Sequence, residues 1–260
     1  MTARAVLFLA LLFALASPAI AQRAPSVVLR DDGNVGITGA QFVIAAGLDR
    51  QTPEQSGIAA LVAECVLRTP VSGVPLRAAI AQAGGSIDYV VEAHDVRFYL
   101  EGLASGYGRL LPLFRAALER PDFRSTTVDA ARETLIAQSA QAQRIALTVG
   151  IEMLDRDFYT SSNAGLPQFG ISPTLIAVAP TNARVFFEKT YRRNGSFASA
   201  AGNLRFVNEA QIAAVLDALP AGGSLPVPVA RPSLKGDTKQ LIAHRDIPVP
   251  WLIARDANNP

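Results

Sequence analysis

Cysteine and histidine are the scarcest of the residues that commonly carry chemistry in this sequence. There is one cysteine, Cys65, and there are two histidines, His94 and His244, which lie far apart in the chain. A single thiol excludes an internal disulfide even in an oxidising compartment. Cys65 falls among apolar residues at helical spacing, and this pattern predicts a buried, unreactive thiol.

The sequence also lacks a strong charge of either sign and lacks long apolar runs. Its 24 basic and 22 acidic residues nearly balance, so there is no electrostatic footprint for nucleic acid. Beyond the N-terminal region, no apolar stretch approaches the roughly 20 residues that a membrane-spanning helix needs. We therefore expect neither nucleic acid as a partner nor a stable membrane span in the mature chain.

Residues 1–21 have the layout of a secretory signal peptide. Arg4 precedes an apolar run over residues 5–16, and Ala19-Ile20-Ala21 stands before Gln22. We expect cleavage after Ala21; the alternative is an uncleaved membrane anchor. Only three lysines occur among many arginines and alanines, a composition typical of GC-rich bacterial genomes. The expected location is the periplasm, or outside the bacterial cell.

Hydrophobic periodicity divides residues 22–225 into strand pairs and helices. The predicted strands are 27–30 and 41–46, joined as one hairpin, and 87–93 and 96–100, joined as a second hairpin that turns near His94 and Asp95. The predicted helices are 58–67, 76–83, 110–118, 128–144 with 145–158 as an extension, 181–191, and 208–219 with Asn208 as its N-cap. This order predicts an α+β fold with an antiparallel sheet and helices packed on one face.

One predicted helix carries a resemblance to a known family. Residues 57–69 read Gly-Ile-Ala-Ala-Leu-Val-Ala-Glu-Cys-Val-Leu-Arg-Thr, and the segment resembles the His-x-x-Glu-His helix of the insulinase and mitochondrial-processing-peptidase family. Further landmarks follow in the family's order over approximately residues 27–220: Leu48-Asp49-Arg50, Gly84-Gly85-Ser86, Pro121-Asp122-Phe123, Ser172-Pro173, Tyr191, Asn194 and Ala200-Ala201-Gly202-Asn203. The resemblance implies the fold of one half of such a peptidase.

The resemblance also implies that the family's zinc site is missing from this chain. In the family the two histidines bind the metal and the glutamate activates the attacking water. The corresponding positions here are Ala60, Ala63 and Glu64, and a later helix has Gln138 where the family has a glutamate ligand. Alanine offers no lone pair and an amide is a poor zinc ligand. We therefore expect no catalytic residue, no metal and no cofactor, although active relatives use zinc.

Residues 226–260 differ in composition from the preceding domain, residues 22–225. Pro226, Pro228, Pro232, Gly236 and Asp237 predict a linker. The resemblance implies that this linker leads into the start of a truncated second half, because members of the family usually pair two homologous halves.

Three functional interpretations remain open. The first is a catalytically inactive subunit that pairs with a homologous zinc-bearing peptidase in a chamber holding peptides or unfolded segments. The second is a stand-alone periplasmic protein that binds peptides or serves as a scaffold. The third is a metalloendopeptidase with a rebuilt metal site made of Glu64, Glu92, His94 and Asp95. The residues favour the first interpretation, and any activity would be peptide-bond hydrolysis.

Overall fold

A computed structural model describes residues 26–159 and 162–222. The predicted signal peptide (1–21), the predicted linker and second half (226–260) and His244 lie outside these described residues. Among the described residues, no helix is both long enough and apolar enough to cross a membrane.

Five strands form the main sheet, in the order β1-β7-β2-β6-β5. They are β1 (Ser26–Asp31), β2 (Ile37–Ile44), β5 (Gly85–Val91), β6 (Val96–Leu103) and β7 (Phe197–Gly202). Two further strands, β3 (Pro70–Val71) and β4 (Val74–Pro75), form a separate small hairpin. The hairpin predicted to turn near His94 and Asp95 is confirmed as β5 and β6.

The hairpin predicted for residues 27–30 and 41–46 is wrong, because β7 lies between β1 and β2. Gly202 pairs with Asp31 on one side and with Thr38 on the other. The β1–β7 pairing is parallel, so the sheet is mixed rather than purely antiparallel. The sequence Phe-Ala-Ser-Ala-Ala-Gly of β7 has few strong strand formers, and its pairing is set by tertiary structure.

The eight α-helices of the described residues confirm the α+β class. They are α1 (Ile58–Arg68), α2 (Leu76–Gln82), α3 (Leu110–Glu119), α4 (Ser125–Ala142), α5 (Ala146–Phe158), α6 (Ser172–Ala177), α7 (Pro180–Thr190) and α8 (Glu209–Leu216). The predicted N-cap is confirmed: the Asn208 side chain accepts a hydrogen bond from the Gln211 amide at 3.0 Å. The predicted extension through residues 145–158 is wrong, because Ile145 is extended and α5 begins as a separate helix.

The helices pack on one face of the sheet, as predicted. Helix α2 packs against β5, α8 packs against β1 and β7, and α1 packs between β5 and the helices α4 and α7. The strand side chains that face this layer are buried, among them Phe42 and Phe98, and both rings contact the Phe114 ring of α3. On the opposite face of the sheet, side chains such as Val28, Ile37 and Leu103 are exposed.

Candidate functional site

Helix α1 begins at a tight contact between two parts of the chain. Gln51 Oε1 accepts hydrogen bonds from the backbone amides of Gly57 (3.1 Å) and Ala59 (3.3 Å), so a side chain satisfies the free donors of the first turn. Gly57 has a φ of +98° and lies against the backbone of Gly170, where any side chain would collide. Glycine at position 57 therefore adopts the left-handed conformation that precedes α1, and it lets the backbone around Gly170 approach closely.

The two alanines at the family's motif positions lie inside the hydrophobic core. Ala60 and Ala63 are completely buried, as are most of the residues of α1. The sheet and the helices α4 and α7 surround α1. These methyl groups therefore fill core space and line no cleft open to solvent.

Glu64 is the one acidic side chain of α1, and it is completely buried. Its Oε1 atom accepts a hydrogen bond from Arg68 Nε at 2.9 Å and a longer one from Arg77 Nη1 at 3.4 Å. Its Oε2 atom has no hydrogen-bond partner among the described residues. Two guanidinium groups thus balance the charge of this carboxylate, as burial of an ionised group requires.

The two arginines connect Glu64 to neighbouring elements. Arg68 Nη2 donates a hydrogen bond to Thr134 Oγ1 of α4 at 2.6 Å. Arg77, on α2, donates to Asp88 Oδ1 of β5 at 3.1 Å. The carboxylate is therefore the inner end of an ion-pair network that ties α1 to α2, α4 and the edge of the sheet.

The surroundings of Glu64 disfavour negative charge on neighbouring groups. Burial, with a further contribution from Glu64, raises the pKa of the Cys65 thiol to about 12. Burial and the same carboxylate hold the pKa of Tyr89 well above its ordinary value, and the Tyr89 hydroxyl has no hydrogen-bond partner among the described residues. Neither group is activated as a nucleophile, because both are held in the protonated form.

The four motif positions offer a poor set of metal donors. Gln138 is exposed on α4, one turn after Thr134. Together the positions supply two methyl groups, one carboxylate engaged with two arginines, and one neutral amide. A catalytic zinc ion usually has three protein ligands from histidine, cysteine or carboxylate groups. The residues present at these positions do not fit a zinc ion.

The structure does not form the rebuilt metal site of Glu64, Glu92, His94 and Asp95. His94 Nδ1 lies 2.8 Å from Asp49 Oδ2, and Asp95 Oδ1 accepts a hydrogen bond from Arg97 Nε at 2.6 Å. Within residues 26–159 and 162–222, no three histidine, cysteine, aspartate or glutamate side chains are grouped to hold a metal ion. Glu64 instead pairs with Arg68 and Arg77, Glu92 and Asp95 both pair with Arg97, and His94 pairs with Asp49.

Reasoning from sequence missed the residues that surround Glu64 and His94. Arg68 follows Glu64 by four residues on one helix, a spacing at which opposite charges meet, so this partner carried a local signal. No local pattern in the sequence indicated that Arg77 or Asp49 would be a partner. Arg77 reaches Glu64 from α2, and Asp49, whose side chain is only 1% exposed, reaches His94 from a turn 45 residues earlier.

Comparison with solved structures identifies the fold. The inactive domain of an M16 peptidase from Pseudomonas fluorescens is similar over 79% of this chain, with a TM-score of 0.65 and 19% sequence identity. Pitrilysin is similar over 78% of the chain, with a TM-score of 0.65 and 16% identity. The periplasmic protease PqqL from Escherichia coli is similar over 78%, with a TM-score of 0.64 and 13% identity. No protein-family model matches the sequence, and no curated protein matches it significantly.

This chain therefore has the fold of one half of an M16 peptidase, the insulinase-type architecture that the motifs resembled. It spans 51% of the matched Pseudomonas fluorescens chain, and 23% and 24% of the pitrilysin and PqqL chains. The prediction of an insulinase-type α+β fold is therefore confirmed.

Proposed function

We propose that this chain is a peptidase homologue that binds no zinc and hydrolyses no peptide bond, and that it acts as the partner subunit of an active zinc peptidase. The observation that supports the proposal is the burial of Glu64 and its pairing with two arginines. The one carboxylate left at the motif positions is buried and engaged with Arg68 and Arg77, while Ala60 and Ala63 are part of the core.

The fold around the motif positions supports a structural role rather than a catalytic one. The helix layer, the sheet and the glycine contact at the start of α1 are all present, although the side chains at the motif positions cannot catalyse hydrolysis. The Pseudomonas fluorescens structure is itself described as an inactive domain. Such a domain can form one wall of a chamber in which a zinc-bearing homologue cuts peptides.

The proposed compartment is the bacterial periplasm or the exterior of the cell. The N-terminal sequence pattern favours export, and one protein of similar fold, PqqL, is described as a periplasmic protease. A periplasmic location would place the chain beside exported peptides and unfolded segments, which are the ligands we propose for the shared chamber.

The test is native mass spectrometry of the tagged full-length chain, purified from its own cells with zinc present. We expect a one-to-one complex with a homologue that carries an intact His-x-x-Glu-His motif, and one zinc ion per complex. The Glu64→Gln variant keeps the side-chain shape and should leave the zinc content of that complex unchanged. Zinc on this chain alone, or peptidase activity of the isolated chain equal to that of the complex, would contradict the proposal.

A second candidate function is binding of extended peptides by the isolated chain, and one observation favours it. Strand β5 is an edge strand that pairs only with β6 among the described strands. Its outer side presents backbone groups to which an extended peptide can add as a further strand. The test is fluorescence anisotropy with an unfolded peptide and with the same peptide N-methylated at alternate residues. Methylation should abolish binding, and equal binding of both peptides would exclude this mode.

A further inference from the structure

The backbone groups of the edge strand β5 alternate between its two sides. At the turn of the hairpin, the Glu92 amide donates a hydrogen bond to the Asp95 carbonyl oxygen at 2.8 Å. Hydrogen-bonded and non-hydrogen-bonded pairs alternate along an antiparallel ladder. Counting back along β5 from Glu92, Asp88 belongs to a pair that is hydrogen-bonded to β6, and Tyr89 belongs to a pair that is not. The backbone amide of Tyr89 therefore points outward, away from β6.

A neighbouring side chain occupies this outward amide. The Tyr89 amide donates a hydrogen bond to Asp88 Oδ1 at 2.9 Å. The same oxygen accepts a hydrogen bond from Arg77 Nη2 at 3.1 Å, and Arg77 belongs to α2, which packs against β5. Arg77 also donates to Glu64 Oε1 at 3.4 Å. The Asp88 carboxylate is thus held along the outer side of β5, where a further strand of the sheet would lie.

The position of this carboxylate conflicts with the addition of a strand. An added strand would bring one of its carbonyl oxygens to the Tyr89 amide, the place that Asp88 Oδ1 occupies. One amide proton cannot make a full hydrogen bond to both acceptors. The Asp88 side chain is 76% exposed, so hydrogen bonds rather than burial hold it in place. Charged side chains at sheet edges commonly prevent unwanted strand pairing.

We propose that the hydrogen bond from the Tyr89 amide to Asp88 is an autoinhibitory contact, which an extended peptide must displace before it can add to β5. Its consequence for binding rests on the second candidate function, the addition of peptides to this edge. A peptide laid over Asp88 would also remove water from the carboxylate, which adds to the free energy that binding has to supply.

The contact predicts the direction and size of the effect of three substitutions on peptide affinity. Asp88→Ala removes the carboxylate and should tighten peptide binding by about threefold to tenfold, the range expected for one exposed hydrogen bond. Asp88→Asn keeps an oxygen acceptor at the same position but loses the ion pair with Arg77, so its affinity should lie between those of the unmodified chain and Asp88→Ala. Arg77→Met should also give an intermediate affinity, because it releases the carboxylate from one of its two partners.

Amide hydrogen exchange of the full-length chain, measured by NMR without peptide, tests the contact itself. The Tyr89 amide should exchange about fivefold faster in Asp88→Ala than in the unmodified chain, because its acceptor is lost. Ser86→Ala is the matched control: Ser86 is an exposed residue two positions earlier on the same strand, and its loss should leave the Tyr89 rate unchanged. An equal Tyr89 rate in Asp88→Ala and in the unmodified chain overturns the proposal.

Fluorescence anisotropy then tests the inhibition of binding. The probe is a labelled unfolded peptide of seven residues, the length of β5, together with the same peptide N-methylated at alternate residues. We expect binding that N-methylation abolishes, and a lower dissociation constant for Asp88→Ala than for the unmodified chain and for Ser86→Ala. Circular dichroism first confirms that each variant is folded.

The two possible failures are distinguishable. If the unmodified chain and Asp88→Ala bind the peptide equally and N-methylation abolishes both interactions, strand addition at β5 stands and the autoinhibitory contact is overturned. If neither chain binds the peptide in a way that N-methylation abolishes, the second candidate function fails, and the proposed inhibition is overturned with it.

Discussion

Arg68 lies one helical turn after Glu64 on α1 and donates a hydrogen bond to its carboxylate at 2.9 Å. Glu64 is fully buried, whereas 32% of the Arg68 side chain is exposed. The arginine therefore neutralises an interior charge from the boundary of the core. Removing one partner of such a pair leaves the other charge buried and incompletely compensated.

The first prediction concerns this pair. Arg68→Met should lower the free energy of unfolding by about 2 kcal/mol, because Glu64 then retains only the longer bond from Arg77. Arg77→Met is the matched control: its side chain is 44% exposed and its bond to Glu64 is 3.4 Å, so the loss should stay below about 1 kcal/mol. Urea unfolding monitored by circular dichroism measures both.

The double variant Glu64→Met with Arg68→Met sharpens this test. Since it removes both charges together, it should recover most of the stability that Arg68→Met loses. Equal losses for Arg68→Met and Arg77→Met, or a double variant that is less stable than Arg68→Met, would show that Arg68 does not compensate Glu64.

The second prediction concerns Gly47, which precedes the turn that carries Asp49. A Cβ atom on Gly47 would lie 2.3 Å from the backbone nitrogen of Asp95 and 2.6 Å from the backbone oxygen of Glu92. Gly47→Ala should therefore lower the free energy of unfolding by about 3 kcal/mol or more, since backbone on both sides must move.

The control for that prediction is Gly36→Ala, because no atom lies within 4 Å of where the new methyl group would stand. It should change stability by less than about 0.5 kcal/mol. Urea unfolding compares the two, and a tolerated alanine at position 47 would disprove the close approach of the two turns.

The third prediction is a pH dependence at the start of α4. The Arg124 guanidinium and the Thr127 hydroxyl lower the pKa of Asp122 from its ordinary 3.8 to about 2. Because this pKa is lower in the folded state, the ionised carboxylate stabilises the fold fully above about pH 4, and the contribution decreases as the pH falls from about 4 through about 2. Asp122→Asn should cost about 1 kcal/mol at pH 7 and less than half of that at pH 2.

Unfolding by urea at pH 7, 4, 3 and 2 measures this dependence. Glu133→Gln serves as the control, since Glu133 is an exposed carboxylate within α4, the helix that follows Asp122. Its effect should be small at every pH. A stability difference between Asp122→Asn and the unmodified chain that is the same at pH 7 and pH 2 would contradict the assignment.

The fourth prediction concerns the reactivity of Cys65. Because burial raises the pKa of its thiol to about 12, only about one molecule in ten thousand carries the thiolate at pH 8. The folded chain should resist iodoacetamide, and the chain in concentrated urea should react readily. Mass spectrometry of timed samples follows the modification. Comparable rates in the two conditions would show that the thiol is accessible.

The outcome for individual elements shows what local sequence can and cannot predict. The helix at 58–67 and the hairpin near His94 and Asp95 were predicted because hydrophobic periodicity and turn residues lie close together in the chain. The strand β7 was missed, since its residues are mostly small and its pairing partners, Asp31 and Thr38, are more than 160 positions away. Periodicity carries no information about such distant pairing.

The sequence alone determined the α+β class, the order of most elements and the chemistry of the motif positions, because helical and strand periods and side-chain identity are local properties. Only the tertiary structure decided that β7 separates β1 from β2, that Arg77 joins Arg68 on Glu64, and that Arg77 also holds Asp88 at the edge of β5. These relationships depend on strand register and on packing between elements distant in the chain. They therefore exist only once the chain has folded.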